Sequence, residues 1–371
     1  MSSSRGRKSK SKGSGLSSLH SQLAKKIVSE SLELKPGESV TIETWNNGLD
    51  FAKQVVREAR RVGAMPLLIL EDDDAYLWGL QNAPKEWIGK MGRHEYNLLS
   101  ATNAYVFIPG PLIGVYAPSV TKEQAFEGTA YNSSWYEAAE KAGVRGVRLT
   151  FGYLGPDLAK ILGKRLDDLV QRQLKASLVE SAAIQSLGKP IMERLTDGSE
   201  AVLQVGGESL VFYLSGDVGI EDGITDMADV VAKNNISYIL PGFVWKGIPP
   251  GSASGKVTIS SALTRVGLID GATLEFDKGK LVSWKGKDKR NQRKLDQALA
   301  SLSEDKRNLS TITIGLNQQL PYGYGQDRFV AGAIGLMGFG IAGVVSKGTL
   351  SIGGQPVLEK GKLARPQSPA I

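Results

Sequence analysis

The chain has no cysteine and only two histidines, His20 and His94, so nothing after His94 offers an imidazole or a thiolate. That excludes disulfides and thiolate chemistry, and fits a reducing, cytoplasmic setting. It also removes the soft ligands that a hydrolytic zinc or cobalt site recruits, leaving only oxygen donors for most of the sequence. Proline is sparse at 15 residues, while glycine is abundant at 44, a balance that favours tight turns and close backbone approaches. No apolar run is long enough to span a bilayer. The longest, Ala331 to Val345, is broken by five glycines and falls short of the ~20 residues required. No apolar segment of the secretory type follows the basic N-terminus. The G-x-S-x-G nucleophile elbow and the Gly-Lys-Ser/Thr phosphate loop are also missing.

What is present is an ordinary globular composition, 41% hydrophobic and 22% charged, over 371 residues, enough for two domains. Five of the seven net positive charges lie in residues 1–15, as Arg5, Arg7, Lys8, Lys10 and Lys12. A Ser/Gly/Lys tail of this kind is expected to be disordered. It either solubilises the chain or touches nucleic acid through phosphates.

From residue 16 the pattern is helical to about 35. Strands are expected at Ser39–Glu43, Pro66–Leu70, Ala104–Ile108 and Gly146–Thr150, with helices at Leu49–Val62 and through Glu137–Ala142. This alternation is the grammar of a parallel sheet with crossover helices. Pro66–Leu70, continuously apolar, reads as a buried strand. Helices over Leu158 to Leu187 close a first domain, 16–190. A second, 191–371, is mostly antiparallel β: Glu200–Val205 and Ser209–Leu214 flank Gly206-Gly207, and Lys280–Trp284 follows Thr273–Phe276 across Asp277-Lys278-Gly279. One helix, Lys289 to Leu302, interrupts it. The fold class is α/β, a Rossmann-like parallel-sheet domain followed by a β-rich α+β domain.

Isolated motifs carry little. Gly338-Phe339-Gly340-Ile341-Ala342-Gly343 matches a dinucleotide-binding spacing, but no helix start follows, so close backbone packing is the better reading. Glu71-Asp72-Asp73-Asp74 ends a strand and either opens a helix at the positive end of its dipole or gathers Mg²⁺ or a basic substrate. The basic run from Lys280 to Lys294 around Trp284 is diluted by Asp288 and reads as a solvated face.

The order of segments is more informative. Leu34-Lys35-Pro36-Gly37-Glu38-Ser39-Val40, then Phe51–Arg60 and Val62-Gly63-Ala64-Met65-Pro66, resemble the start of the thermophilic metalloaminopeptidases of the aminopeptidase T and aminopeptidase S type. Gly271–Phe276 with Gly279–Val282 resembles that family's hairpin, Ile314-Gly315-Leu316-Asn317 its Gly-x-Asn strand, and Val357–Lys362 its last hairpin. The likeness is diffuse and collinear from about Leu23 to Leu363.

It implies a Rossmann-like domain, a β-rich catalytic domain, a homodimer, and two divalent metals held by Glu, His and Asp with an assisting Tyr. Position by position, however, Phe243 stands where the first Glu belongs, Thr311 where the second does, Gly335 for the His and Ala342 for the Tyr. The final His-x-Asp pair has no counterpart. Asn317 and Asp327 persist, neither of them a direct ligand in the pattern.

The resemblance thus leads to the expectation of a metal-free, non-catalytic aminopeptidase-like protein with a structural, binding or regulatory role and a peptide or protein ligand in the old interdomain cleft. One alternative is an active, leucyl-type metalloaminopeptidase, a hydrolase using carboxylates among Glu71, Asp72, Asp217, Glu221, Asp222 and Asp226. Another is a nucleic-acid- or ribosome-associated protein acting through the tail.

Overall fold

A computed structural model describes residues 12–110, 122–150, 154–264, 266–299 and 302–364. Arg5, Arg7, Lys8 and Lys10 lie outside the described residues. So does the Lys12 side chain, although Lys12 opens the first helix. The chain divides into two compact units, and the division is not the expected one near residue 190. The first unit ends its continuous run by about residue 150 and regains residues 224–239 later; the second holds residues 154–223 and everything from Leu240.

The first unit is built on a parallel five-stranded sheet. Its elements are α1 (Lys12–Lys26), running on through a π-helical turn at Ile27–Ser31, then β1 (Ser39–Trp45), α2 (Leu49–Arg61), β2 (Met65–Glu71), α3 (Asp73–Asn82), α4 (Arg93–Ser100), β3 (Ala104–Ile108), α5 (Lys122–Ala142) and β4 (Arg145–Leu149). Strand order is β2-β1-β3-β4, closed by a strand from far down the chain, Ile236–Ile239. Crossovers leave β1 in both directions, so the order reverses between β1 and β3, the crevice where open α/β sheets hold ligands. Val40 and Ile42 on one face of β1 pack with Phe51 and Val55 of α2 and Leu23 and Ile27 of the first helical segment into a buried core.

One strand departs from expectation. β2 is not buried; it is the sheet's edge, paired only with β1 among the described residues, and Met65, Leu67 and Leu70 are half or more exposed. An apolar run looks the same in sequence whether or not a neighbour covers it.

The second unit begins with three helices, α6 (Pro156–Leu162), α7 (Leu166–Ser177) and α8 (Ser181–Met192). The next strands are β5 (Glu200–Val205), β6 (Glu208–Tyr213) and β7 (Val218–Glu221). After α9 (Met227–Val231) and β8 (Ile236–Ile239), which belong to the first unit, come β9 (Phe243–Gly247), β10 (Ser254–Thr264), β11 (Gly267–Asp277) and β12 (Lys280–Gly286). The chain closes with α10 (Lys289–Leu299), β13 (Thr311–Gly315), β14 (Ile334–Met337), β15 (Gly343–Val345), β16 (Thr349–Ile352), β17 (Gln355–Glu359) and β18 (Lys362–Leu363). These strands form one curled, antiparallel, 13-stranded sheet with β10-β15-β14-β13-β9-β7 consecutive.

The expected Gly206-Gly207 hairpin is present: Val205 pairs with Glu208, and both glycines have positive φ, as the two-residue turn requires. Gly338 and Gly340 sit in a bend between β14 and β15, where a Cβ would collide with Ser310 and Leu302, so this spacing serves close packing. In the basic run, the Trp284 indole donates to Asp296 (2.9 Å) and α10 buries only its Leu295–Leu299 and Asn291 side. Among the described residues no helix is long and apolar enough to cross a membrane.

Candidate functional site

In the second unit, side-chain alternation sets two different surfaces on β9, β13 and β14. Val244, Ile312, Ile314, Ile334 and Leu336 enter the main core. The opposite face carries the cross-strand sets Trp245–Thr313–Gly335 and Gly247–Thr311–Met337, with Phe243 beside Gly315. Phe243, Thr311 and Gly335, far apart in sequence, therefore share one sheet face. Ala342 lies just before β15.

The chemistry of this face is cationic and apolar. The Phe243 and Phe329 rings pack edge to face at 4.9 Å. The Arg328 guanidinium lies 5.4 Å from the Phe243 centroid and 5.0 Å from that of Phe329, and its Nη1 approaches the Met337 sulfur at 3.3 Å. A Cβ on Gly335 would collide with the Thr313 hydroxyl and meet Arg328 Cβ at 3.4 Å, so the position has no room for an imidazole. Thr313 Oγ1 is itself buried without a hydrogen-bond partner among the described residues. Phenyl, hydroxyl and glycine in these places, beside a fixed guanidinium charge, do not fit a pair of divalent ions.

Asn317 and Asp327 hold backbone. Fully buried, Asn317 donates from Nδ2 to the carbonyls of Ala176 (2.9 Å) and Pro241 (2.7 Å) and accepts from the Gln319 N–H (3.0 Å). Asp327 accepts from the Gly323 N–H (2.8 Å) and the Ser261 hydroxyl (3.0 Å), pinning a turn to β10.

The carboxylates of the alternative reading fall into different units. Glu71, Asp72 and Asp226 belong to the first, Asp217, Glu221 and Asp222 to the second. Asp72 and Asp226 cap helices α3 and α9, and Asp222 accepts from Gln185 at 2.7 Å. The Asp72 carboxyl is held below its ordinary pKa, first by the Asn46 side chain and then by the Ala75 N–H. Among the described residues no three His, Asp and Glu side chains are grouped as a metal centre.

The first unit holds a cluster that the sequence reading did not single out. Glu43 on β1 accepts a hydrogen bond from the Tyr105 hydroxyl on β3, across the point where strand order reverses. Glu95 of α4 accepts from Tyr131 of α5 and, through its other oxygen, from the Gly92 N–H (2.6 Å). Arg148 on β4 donates to the Tyr136 hydroxyl (3.1 Å) and lies 5.0 Å from the Phe107 ring centroid. Glu43, Tyr105, Tyr131, Tyr136, Arg148 and Trp135, which packs edge to face on Tyr105 at 4.9 Å, line a cavity of about 30 Å³.

Burial pushes the Glu43 carboxyl up to about 7; the Tyr105 hydrogen bond opposes this, and the Glu71 and Glu95 charges reinforce it. Tyr105 and Tyr131 are driven well above the ordinary phenol range, first by burial. Glu71 is raised by its own burial and by Glu95. The sequence did carry a signal: Glu43 and Arg148 are charged residues inside central parallel strands, where both faces are normally apolar.

No family model matches the chain, and no curated protein matches it. Among solved structures it is similar to wild-type AmpT from Thermus thermophilus, with a TM-score of 0.67 and 14% identity, over 94% of this chain and 100% of that one. It is also similar to a 2,5-dihydroxypyridine dioxygenase from Pseudomonas putida KT2440, with a TM-score of 0.61 and 14% identity, over 94% of this chain and 97% of the other. Likeness at that identity concerns architecture alone, and one architecture serves unrelated chemistries. The chain thus has a two-unit, aminopeptidase-like fold.

Proposed function

We propose that this is a metal-free, non-catalytic aminopeptidase-like protein, acting in the cytoplasm, that binds a peptide or protein segment rather than cleaving it. One observation carries the reading. Beside the sheet face shared by Phe243, Thr311 and Gly335 stands the Arg328 guanidinium, packed against two phenyl rings. A guanidinium cannot lower the pKa of a bound water or accept a carbonyl as a Lewis acid, which is what hydrolysis draws from a metal. It can hold a carboxylate or a backbone carbonyl, while Trp245, Phe243 and Met337 offer apolar contact.

The competing reading, an active metal-dependent aminopeptidase, draws on the likeness to AmpT. One experiment separates the two. Protein purified with added zinc, cobalt or manganese is analysed for bound metal and assayed for release of N-terminal amino acids from peptides, with and without chelator. Substoichiometric metal and no chelator-sensitive release are expected; stoichiometric metal with chelator-sensitive release overturns the proposal.

A further inference from the structure

Positive charge is unevenly placed even apart from the N-terminal tail. With five of the seven net charges in residues 1–15, the rest of the chain is only +2. Yet the ten residues 285–294 hold Lys285, Lys287, Lys289, Arg290, Arg293 and Lys294 against a single acid, Asp288. Everything else from residue 16 onward is therefore net negative.

The end of β12 and the start of α10 present these bases together. Five are exposed and Lys294 is half-buried. Their placement runs against what the helix itself prefers. Lys289 and Arg290 stand in the first turn of α10, at the positive end of its dipole, with no acid in that turn. Lys289 and Arg293, and Arg290 and Lys294, are four residues apart, a spacing at which like charges repel. Partial burial, and then the Arg290 charge, hold the Lys294 ammonium below the ordinary lysine pKa.

Nearby acids do little to quench the patch. Asp288 caps the helix, accepting from the Asn291 N–H (2.8 Å) and side-chain amide (3.0 Å). Asp296 accepts from the Trp284 indole (2.9 Å) and the Gln292 amide (2.8 Å). Lys287 is paired with Asp270 at 3.2 Å. Lys285, Lys289, Arg290 and Arg293 have no acidic partner within 4.0 Å among the described residues. Local preferences broken together, with no compensating contact inside the protein, are what a functional surface looks like.

The surroundings select the kind of anion. Trp284 is not free to stack on a base, because Arg307 lies 5.5 Å from its ring centroid and Asp296 holds its N–H. Among the described residues between 232 and 321, Val282 is the one large apolar side chain that stands exposed, so the face lacks the aromatic anchors of a protein interface. Leu295 and Leu299, the apolar side of α10, are buried in the core and cannot enter a lipid surface. What remains is a row of fixed charges roughly 4.5–6 Å apart along the helix, at three- and four-residue steps of ~1.5 Å. That suits a rod of dense, regular negative charge, and a nucleic-acid duplex carries one charge per ~1.7 Å of axis.

We propose that the end of β12 and the first two turns of α10 bind double-stranded nucleic acid, with Lys285, Lys289, Arg290 and Arg293 on backbone phosphates and no base read. The surface uses none of the strands that carry Phe243, Thr311 and Gly335, so it stands or falls apart from the peptide-binding reading.

The test is fluorescence anisotropy of the full chain with two labelled DNA duplexes of unrelated sequence, over a range of salt concentrations. Both duplexes should bind alike, and more tightly than a single strand of the same length. Replacing three bases together, Lys289→Gln, Arg290→Gln and Arg293→Gln, should reduce the slope of log K against log salt by about 3, at ~0.9 for each lost phosphate contact. Because this variant relieves repulsion within α10, its melting temperature should equal or exceed that of wild type, which separates lost binding from lost folding. Removing the same charge from exposed positions of α2, by Arg57→Gln, Arg60→Gln and Arg61→Gln, should leave the slope unchanged. A wild-type chain that binds no duplex overturns the proposal. So does a slope that the α10 variant leaves intact, which would assign binding to the tail, or an equal fall in both variants. Tighter binding of the single strand, or a loss confined to phosphatidylserine vesicles, would overturn it as well.

Discussion

The Tyr105 hydroxyl donates to Glu43 Oε2, tying β1 to β3 where the sheet's order reverses. The bond keeps a buried carboxyl beside aromatic walls, and burial still wins: the Glu43 carboxyl titrates near 7 rather than near 4.5.

A folded-state pKa above the unfolded one means that the native protein holds this proton more tightly. Its stabilising effect is complete below about pH 4.5 and is lost as pH rises toward 7, by about 3 kcal/mol at most. Glu43→Gln should flatten that loss and be more stable than wild type at pH 8. Urea unfolding of both proteins at pH 5 and pH 8 checks this, and identical pH dependence would refute it.

Asn317→Ala should lower stability by about 2–4 kcal/mol, because the buried carbonyls of Ala176 and Pro241 both lose the amide's hydrogen bond, Ala176 keeping only backbone N–H contacts at the end of α7. Denaturant midpoints measure it. A midpoint that does not move would mean that another donor replaces the amide.

Gly242 has a φ of +130°, and a Cβ there would lie 2.7 Å from Asn317 Cβ and 2.9 Å from its backbone nitrogen. Gly242→Ala should therefore cost more than about 2 kcal/mol. Gly198 also has positive φ (+77°) but nothing within 4 Å, so Gly198→Ala should cost only about 1 kcal/mol. Thermal unfolding of the pair compares them; equal losses would mean that the Asn317 contact relaxes freely.

Zinc, cobalt or manganese should leave the melting temperature of the wild-type chain unchanged. A ligand that binds only the native state raises it in proportion to RT ln(1 + [L]/Kd). A chelator-reversible rise would show that oxygen donors outside the Phe243–Thr311–Gly335 face form a site.

Much of the architecture was legible because periodicity and turn chemistry are local. Strands β1 to β4, the α2 pattern and the Gly206-Gly207 hairpin all fall within a few residues of expectation. β2 was read correctly as a strand and wrongly as interior, since whether an apolar strand is covered depends on a neighbour its own residues do not encode. Ile236–Ile239 was missed as a parallel strand because a four-residue element so far from its sheet has no local signature. In the site regions, collinear order found Phe243, Thr311 and Gly335, which share a face by cross-strand register. Arg328 was visible only as a neighbour in that pattern, and the Glu43–Tyr105 pair requires a register between strands 62 residues apart.

The return of β8 to the first unit has a consequence for how the chain can be made. Residues 154–223 fold elsewhere and must be synthesised before Ile236–Ile239 can dock beside β4. As the polypeptide leaves the ribosome, the earlier-made unit therefore waits with β4 paired on one side alone, to β3, until Ile236–Ile239 has been made. A protein truncated near residue 190 would end with that edge permanently open. The two units are thus not separable modules in sequence, and shuffling one without the other would cut through a sheet.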